Sequence, residues 1–575
     1  MDVYNDETDL YILFNPWCKD DLVYMKDEAG REEYVMNDKG KVYRGTYRTP
    51  QGYHWAFGQF EDVVLPVAWR ILELSGLPHS ERGNPVQVVR AVSAGVNSND
   101  EKGILVGKWH GEYSDGTSPL IWTGSVRILK EYMNNGFTPV RYGQCWVFSA
   151  LATTICRALG IPCRSVTNFV SAHDTNSSLT IDKFFDKDGN EIEGGPDGYN
   201  KDSVWNYHVW NDVWMARTDL PDGYGGWQAI DSTPQEKSEN KMQCGPASLE
   251  AIKRGETDLG FDCPFVFSEV NADVIYWRKD ENSDWGFSRM KINKNHIGRL
   301  ILTRAPGEED DYDESDRLNL LESYKNPEGS TAEELALYNA IRGSKRAQQY
   351  YEYNKDVKED VTFDLTEIDK LLIGDPFQIK VIVKNEGDEP RTISAALTAS
   401  SVFYTGVHHS VIKKIDGKFT LDPQTEKEVF LKINFEEYWK HLQEHCMINM
   451  YAICRVEETG QTWIDEDDFL VEKPKLNITA PESIERGKEC RLDFSFENPL
   501  DETLTECQLS IDGPGLLRPK EIKIGKSVGP KADFSYSFVF RPRIHGMRKV
   551  IANFNSKQLF EISGSKSIKV LKPSV

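Results

Sequence analysis

Apolar residues recur at helical spacing from Cys145 to Leu159, and Gly160 followed by Ile161 and Pro162 supplies a stop, so a helix is predicted with Cys145 in its first turn. The period changes in SVWNYHVWNDVW. There Asn206, His208 and Trp210 alternate with Trp205, Tyr207 and Val209, the pattern of a strand with His208 on one face. After the turn PDGYGG comes GGWQAIDSTP, a second short strand ending in Asp231. Far downstream, FQIKVIVKNEGDEPRTISAALTAS alternates apolar and polar residues between Gly and Pro turns. CRLDFSFENPLDETLTECQLSIDG repeats that layout, with Asn498 falling 113 residues after Asn385. Two successive β-sandwiches of about 100 residues each are predicted from it.

The chain has 575 residues, too many for one core at a prior of roughly 150 residues per domain. Residues 1–345 mix helical and strand patterns and hold 12 of the 14 tryptophans, which marks one large α+β unit. Residues 346–360, within KRAQQYYEYNKDVKED, lack an apolar face and read as a linker. The sandwiches then occupy 361–472 and 473–575, divided near EKPK. The opening YILFNPWC reads as the remnant of a linker from an earlier N-terminal domain.

Composition narrows the setting. Hydrophobic content of 39% and charged content of 28% are those of a soluble globular protein, with no apolar run of about 18 residues to span a membrane. A net charge of -23 argues against nucleic acid and anionic membranes and favours cations and basic partners. MDVYNDETDLYILF lacks the basic and apolar regions of a signal peptide, which predicts a cytoplasmic protein or one released by a non-classical route. The ten cysteines show no CxxC pairs, so most are expected to be buried thiols.

Cys145 could be a packed thiol, half of a disulfide or a nucleophile. In a first helical turn the free N–H groups and the dipole favour thiolate. His208 is the candidate base and Asp231 the candidate orienter, provided that their strands pair. Each residue alone also has a structural explanation.

YGQCWVF, WNYHVWND and GWQAIDSTPQE, followed in order by CGPAS, FVF-EVN and DGPG, resemble the calcium-dependent transglutaminases, of the coagulation factor thirteen A-subunit type. The resemblance covers essentially the whole chain. It implies a multidomain α+β protein: a papain-like transglutaminase catalytic core followed by two immunoglobulin-like β-sandwich or barrel domains. It also implies an acyltransferase in which Cys145 attacks a protein glutamine, ammonia leaves, and the thioester passes to lysine or another small primary amine, cross-linking proteins by isopeptide bonds with deamidation as a side reaction. GTSPLIWTGSV resembles the segment whose indole N–H binds the oxyanion. Trp122 would fill that role and, with Trp205, wall the amine tunnel. Tyr404 in SSVFYTGV would be regulatory, closing the site over Cys145. Implied partners are glutamine- and lysine-containing proteins, with a homodimer also considered. The competing readings are a thiol hydrolase or deamidase of the same superfamily and a non-catalytic scaffold.

The cofactor implied is Ca²⁺, held by oxygen ligands. The first expected set is the Ala94 carbonyl with Asn97, Asn99 and Glu101. The second is Asp174, Asn176, Ser178, Thr180 and Asp202. The third joins Asn271 and Asp273 to Glu328, Glu333 and a carbonyl near Lys294. HLQEH at 441–445 matches a zinc-peptidase pattern but sits in sandwich sequence, so zinc is discounted.

Overall fold

All fourteen residues of the helix Cys145–Ala158 are buried, which explains an apolar pattern wider than one stripe. The computed structural model describes residues 11–100, 102–196, 198–283, 285–307, 315–343 and 359–573. The Cys145 helix lies against a six-stranded antiparallel sheet. Its strands run, in spatial order, Cys244–Ser248, Gly226–Asp231, Ser203–Met215, Cys163–His173, Leu300–Arg304 and Arg317–Asn319. The helices Val64–Leu74 and Pro85–Val96 also pack against the Cys145 helix, and the second of them meets the sheet as well. A smaller sheet pairs Thr180–Phe185 in parallel with Asp273–Lys279, which forms a hairpin with Phe287–Asn293.

The two sandwiches share one topology. Each has a three-stranded and a five-stranded sheet, with the same strand order in both. Asn385 and Asn498 are fully buried and do the same job in each. Their side-chain amides donate to the carbonyls of Glu389 and Glu502 at 2.8 Å, while their oxygens accept from Gly387 and Leu500 N–H. The repeated Asn in the sequence is thus a turn clamp used twice. Residues 346–358 of the expected linker lie outside the described residues.

Both sandwiches fold back on the core. Lys183 meets Glu466 at 2.7 Å within a buried cluster that includes Tyr276 and His296. Arg44 pairs with Glu561, and Arg127 with Glu521. None of the described helices is long and apolar enough to cross a membrane.

Candidate active site

The helix register places Cys145. Ser149, one turn on, donates its hydroxyl to the Trp210 carbonyl at 2.7 Å. Asn211 donates back to the Ser149 carbonyl at 2.9 Å and to Thr153 at 2.8 Å. These buried bonds lock the helix to the His208 strand two and three residues beyond His208, so the helix start and the imidazole cannot slide apart. Gln144, the N-cap residue, makes no side-chain cap. Its amide points away, donating to the Lys108 carbonyl and accepting from His445, which leaves the Cys145 N–H for another partner.

The His208 and Asp231 strands pair antiparallel, with Asn211 opposite Ile230, so Asp231 comes alongside His208. His208 Nε2 lies 2.7 Å from Asp231 Oδ2, and the two side chains are 1% and 4% exposed. Nδ1 has no regular hydrogen-bond partner, and the Cys145 side chain acts on the same ring. Burial pushes the imidazole pKa down. The Asp231 charge and hydrogen bond, the Cys145 side chain and Glu269 outweigh it and hold the ring well above the usual histidine range. Asp231 Oδ1 accepts from Thr233 N–H at 2.8 Å. All ten cysteines are free, which removes the disulfide reading of Cys145.

Trp122 does not occupy the position expected of it. Its indole N–H donates to the Tyr142 carbonyl at 2.8 Å, and its ring lies under the Arg127 guanidinium, so the donor is already engaged and no oxyanion can use it. Trp109 stands against Trp205 instead, with ring centroids 6.5 Å apart, and stacks on Phe148, three residues along from Cys145. Its indole Nε1 is buried without a hydrogen-bond partner. Trp205 packs edge-on to His208 at 4.9 Å. Trp109 was missed because GKWHGEY carries no periodic signal. What sets it apart is an unpartnered N–H, visible only once the fold is formed.

Tyr404 reaches the site from the first sandwich. Its hydroxyl accepts the Cys145 N–H at 3.5 Å, and its carbonyl accepts from Asn206 N–H at 2.8 Å. Its ring stacks on Tyr207 at 4.7 Å and touches Trp146, Trp205 and His445. Cys145 and Tyr404 are both fully buried, so this conformation is closed. His441 and His445 of HLQEH have separate partners, Ser410 for the first and Gln144 for the second, so they do not form a zinc pair.

The second expected cation set converges. Asp202 receives Thr175 and Asn176 donors, and its carboxyl is raised to about 6 by burial, with the Asp174 and Asp182 charges adding to the rise. Asn176 Oδ1 is buried without a partner, an oxygen open to a cation. Crowded carboxylates beside an orphaned amide oxygen fit a hard cation. Asp182, absent from the expected set, belongs to this neighbourhood. Asp174 differs from a simple ligand: its oxygens accept from the loop N–H groups of Asn176, Ser178 and Leu179 and from the Ser268 hydroxyl on the helix Cys263–Asn271, so it ties the loop to that helix. Ser178 and Thr180 bond to one another there.

In the third set Glu328 and Glu333 come together. Burial and the Glu328 charge raise the Glu333 carboxyl, with Lys325 and Lys294 opposing, and Lys325 pairs with Glu328 at 2.7 Å. Asn271 ends the helix Cys263–Asn271 and Asp273 starts the following strand, 2% exposed. In the first set Ala94 lies near the end of its helix and Asn97 is fully buried. Asn97 donates to the Met242 carbonyl at 2.8 Å and accepts from Asn99 N–H at 3.1 Å. Glu101 lies outside the described residues.

Comparison with known proteins agrees with this layout. Residues 130–232 match the transglutaminase-like superfamily, and residues 361–466 and 474–572 match the C-terminal Ig-like domain of the transglutaminase family. The chain is 47% identical over 563 residues to hemocyte protein-glutamine gamma-glutamyltransferase of Tachypleus tridentatus, covering 98% of this chain and 73% of that one. It is 39% identical over 566 residues to human coagulation factor XIII A chain, covering 98% and 75%. Among solved structures, red sea bream transglutaminase superposes with a TM-score of 0.86 at 32% identity, covering 98% of this chain and 81% of that one.

Proposed function

From the premise that this chain belongs to the transglutaminase family, we propose that it is a calcium-dependent protein-glutamine γ-glutamyltransferase that works through a Cys145 thioester. The observation that carries the reading is His208 held by Asp231 at 2.7 Å while the Cys145 side chain acts on the same imidazole at a helix N-terminus. Cys145 Sγ, its proton shared with His208, adds to the glutamine carboxamide carbon. The Cys145 N–H and the Trp109 indole N–H are the two donors for the oxyanion. The C–N bond breaks as His208 protonates the leaving ammonia, and a thioester remains. An incoming lysine amine, its aliphatic stem between Trp109 and Trp205, adds to that carbon and gives its proton to His208. Collapse forms the amide and restores the thiolate–imidazolium pair.

In the closed form the Tyr404 hydroxyl holds the Cys145 N–H that the oxyanion needs. Tyr404 must therefore withdraw before substrate enters. The Asp174–Asp202 and Asn271–Glu333 sets would hold Ca²⁺, which favours the open arrangement. The test is incorporation of a fluorescent primary amine into casein, with calcium against chelator. Expected are calcium-dependent labelling and loss of more than about 10³-fold in Cys145→Ser. Deamidation without labelling would overturn the transferase reading in favour of a hydrolase.

A further inference from the structure

The His208–Asp231 pair sits in a frame supplied by two residues outside the triad. Gln235 lies just past the Asp231 strand. Its Nε2 is 2.8 Å from Asp231 Oδ2, 3.0 Å from Glu269 Oε1 and 2.9 Å from His208 Nε2. One amide nitrogen has two protons. Both carboxylates accept from it, so Gln235 has one proton for Asp231 and one for Glu269, and its orientation follows from the two acceptors it faces. The contact with His208 Nε2 is then donor beside donor, tolerable because both N–H groups converge on the same Asp231 oxygen.

Glu269 is 1% exposed, with Oε1 at 3.7 Å from His208 Nε2, too long for a hydrogen bond. It stands on the helix Cys263–Asn271, and its backbone carbonyl accepts from Asn168 Nδ2 at 2.8 Å. Asn168 lies directly opposite His208 in the paired strand. A closed ring results: His208 strand, Asn168, Glu269, Gln235, Asp231 and back to His208. Without Gln235, Asp231 Oδ2 would keep the imidazole as its one donor in this ring, and Glu269 would lose its side-chain donor next to a second carboxylate.

We propose that Gln235 and Glu269 are positioning residues: Glu269 anchors the Gln235 amide, and that amide fixes the Asp231 carboxylate so that His208 presents its other nitrogen to Cys145. The proposal rests on the thiol mechanism above and adds two residues to it. The acceptor oxygen of Glu269, not its charge, is what the frame requires.

The test uses the calcium-activated full chain and two readouts. Amine incorporation gives kcat and KM for the amine. Alkylation of Cys145 by chloroacetamide across pH, followed by peptide mass, reports the Cys145–His208 pair without any transfer step. Gln235→Leu and Glu269→Leu are expected to lower kcat by about 10- to 100-fold with the amine KM within about twofold, because the imidazole is misaimed and the tunnel is untouched. The acid limb of the alkylation profile shifts in both variants. Glu269→Gln, which keeps an acceptor oxygen, recovers most of the kcat lost in Glu269→Leu.

An unshifted alkylation profile in Gln235→Leu, with lower thermal stability alone, would show scaffolding and overturn the inference. Equal losses in Glu269→Gln and Glu269→Leu would overturn it as well. Failure of the underlying mechanism looks different: full activity in the unmutated chain after Cys145 is alkylated.

Discussion

At the scale of single residues, two tryptophans show how a side chain's role follows from what its polar atom meets. Trp109 Nε1 is buried without a partner beside the Cys145 helix, whereas Trp122 Nε1 donates to the Tyr142 carbonyl at 2.8 Å. Trp109→Phe removes the proposed oxyanion donor and is expected to lower kcat by about 10²-fold, read in amine incorporation at saturating calcium. Trp122→Phe takes the indole donor from the buried Tyr142 carbonyl and is expected to reduce stability by about 1–3 kcal/mol with little change in kcat. Thermal unfolding beside kinetics separates the two, and the reverse pattern would return the oxyanion role to Trp122. The elements that carry the proposed triad were legible in the sequence, since a helix start and two alternating strands mark the positions of Cys145, His208 and Asp231 by local pattern. Trp109, Gln235 and Glu269 were not, because nothing in their local spacing says which atoms they face.

At the scale of elements, the site depends on a helix with an open N-terminus and on loops that gather oxygen. Gln144 turns its side chain away from its own helix, so the first-turn N–H of Cys145 stays available for Tyr404 or for an oxyanion. The Asp174–Thr180 loop closes over its own donors, with Asp202 arriving from the segment ahead of the His208 strand. A cation there must displace Thr175 and Asn176 donors from Asp202, so the loop and the ion compete for one carboxylate. Asp202→Ala is expected to raise the calcium concentration for half-maximal activity by about tenfold with kcat at saturation retained. A calcium titration of amine incorporation checks this, and an unchanged midpoint would exclude the Asp202 set from activation.

At the scale of the whole molecule, both sandwiches close on the core, and the second carries a titratable group at the seam. Asp512 is 3% exposed with Oδ2 unpartnered, and that oxygen lies where a Cβ at Gly124 would come within 2.6 Å, so glycine is what lets the carboxylate approach. Burial raises its carboxyl to about 7. The Gly513 N–H, Lys130 and Arg127 oppose the rise and Glu61 adds to it. Its folded pKa thus exceeds the unfolded value of about 3.9, so its contribution to stability is full below that value and is lost as pH rises through about 7. Asp512→Asn is expected to flatten the fall in thermal stability between about pH 4 and 7. A steeper fall in the variant would contradict the sign. Gly124→Ala is expected to loosen the same seam, because the new methyl also meets the Ala56 carbonyl at 2.7 Å.

The amino-acid sequence by itself determined the helix that begins at Cys145, the strands that carry His208 and Asp231, and two copies of one sandwich, because apolar period and turn residues are local quantities. The tertiary structure alone decided which indole N–H is left without a partner, that the Tyr404 hydroxyl meets the Cys145 N–H, that Gln235 bonds both Asp231 and Glu269, and which oxygens of the second cation loop are already engaged. Those outcomes depend on distances between atoms as far apart in the chain as Cys145 and Tyr404. Periodicity along a chain carries no measure of such distances.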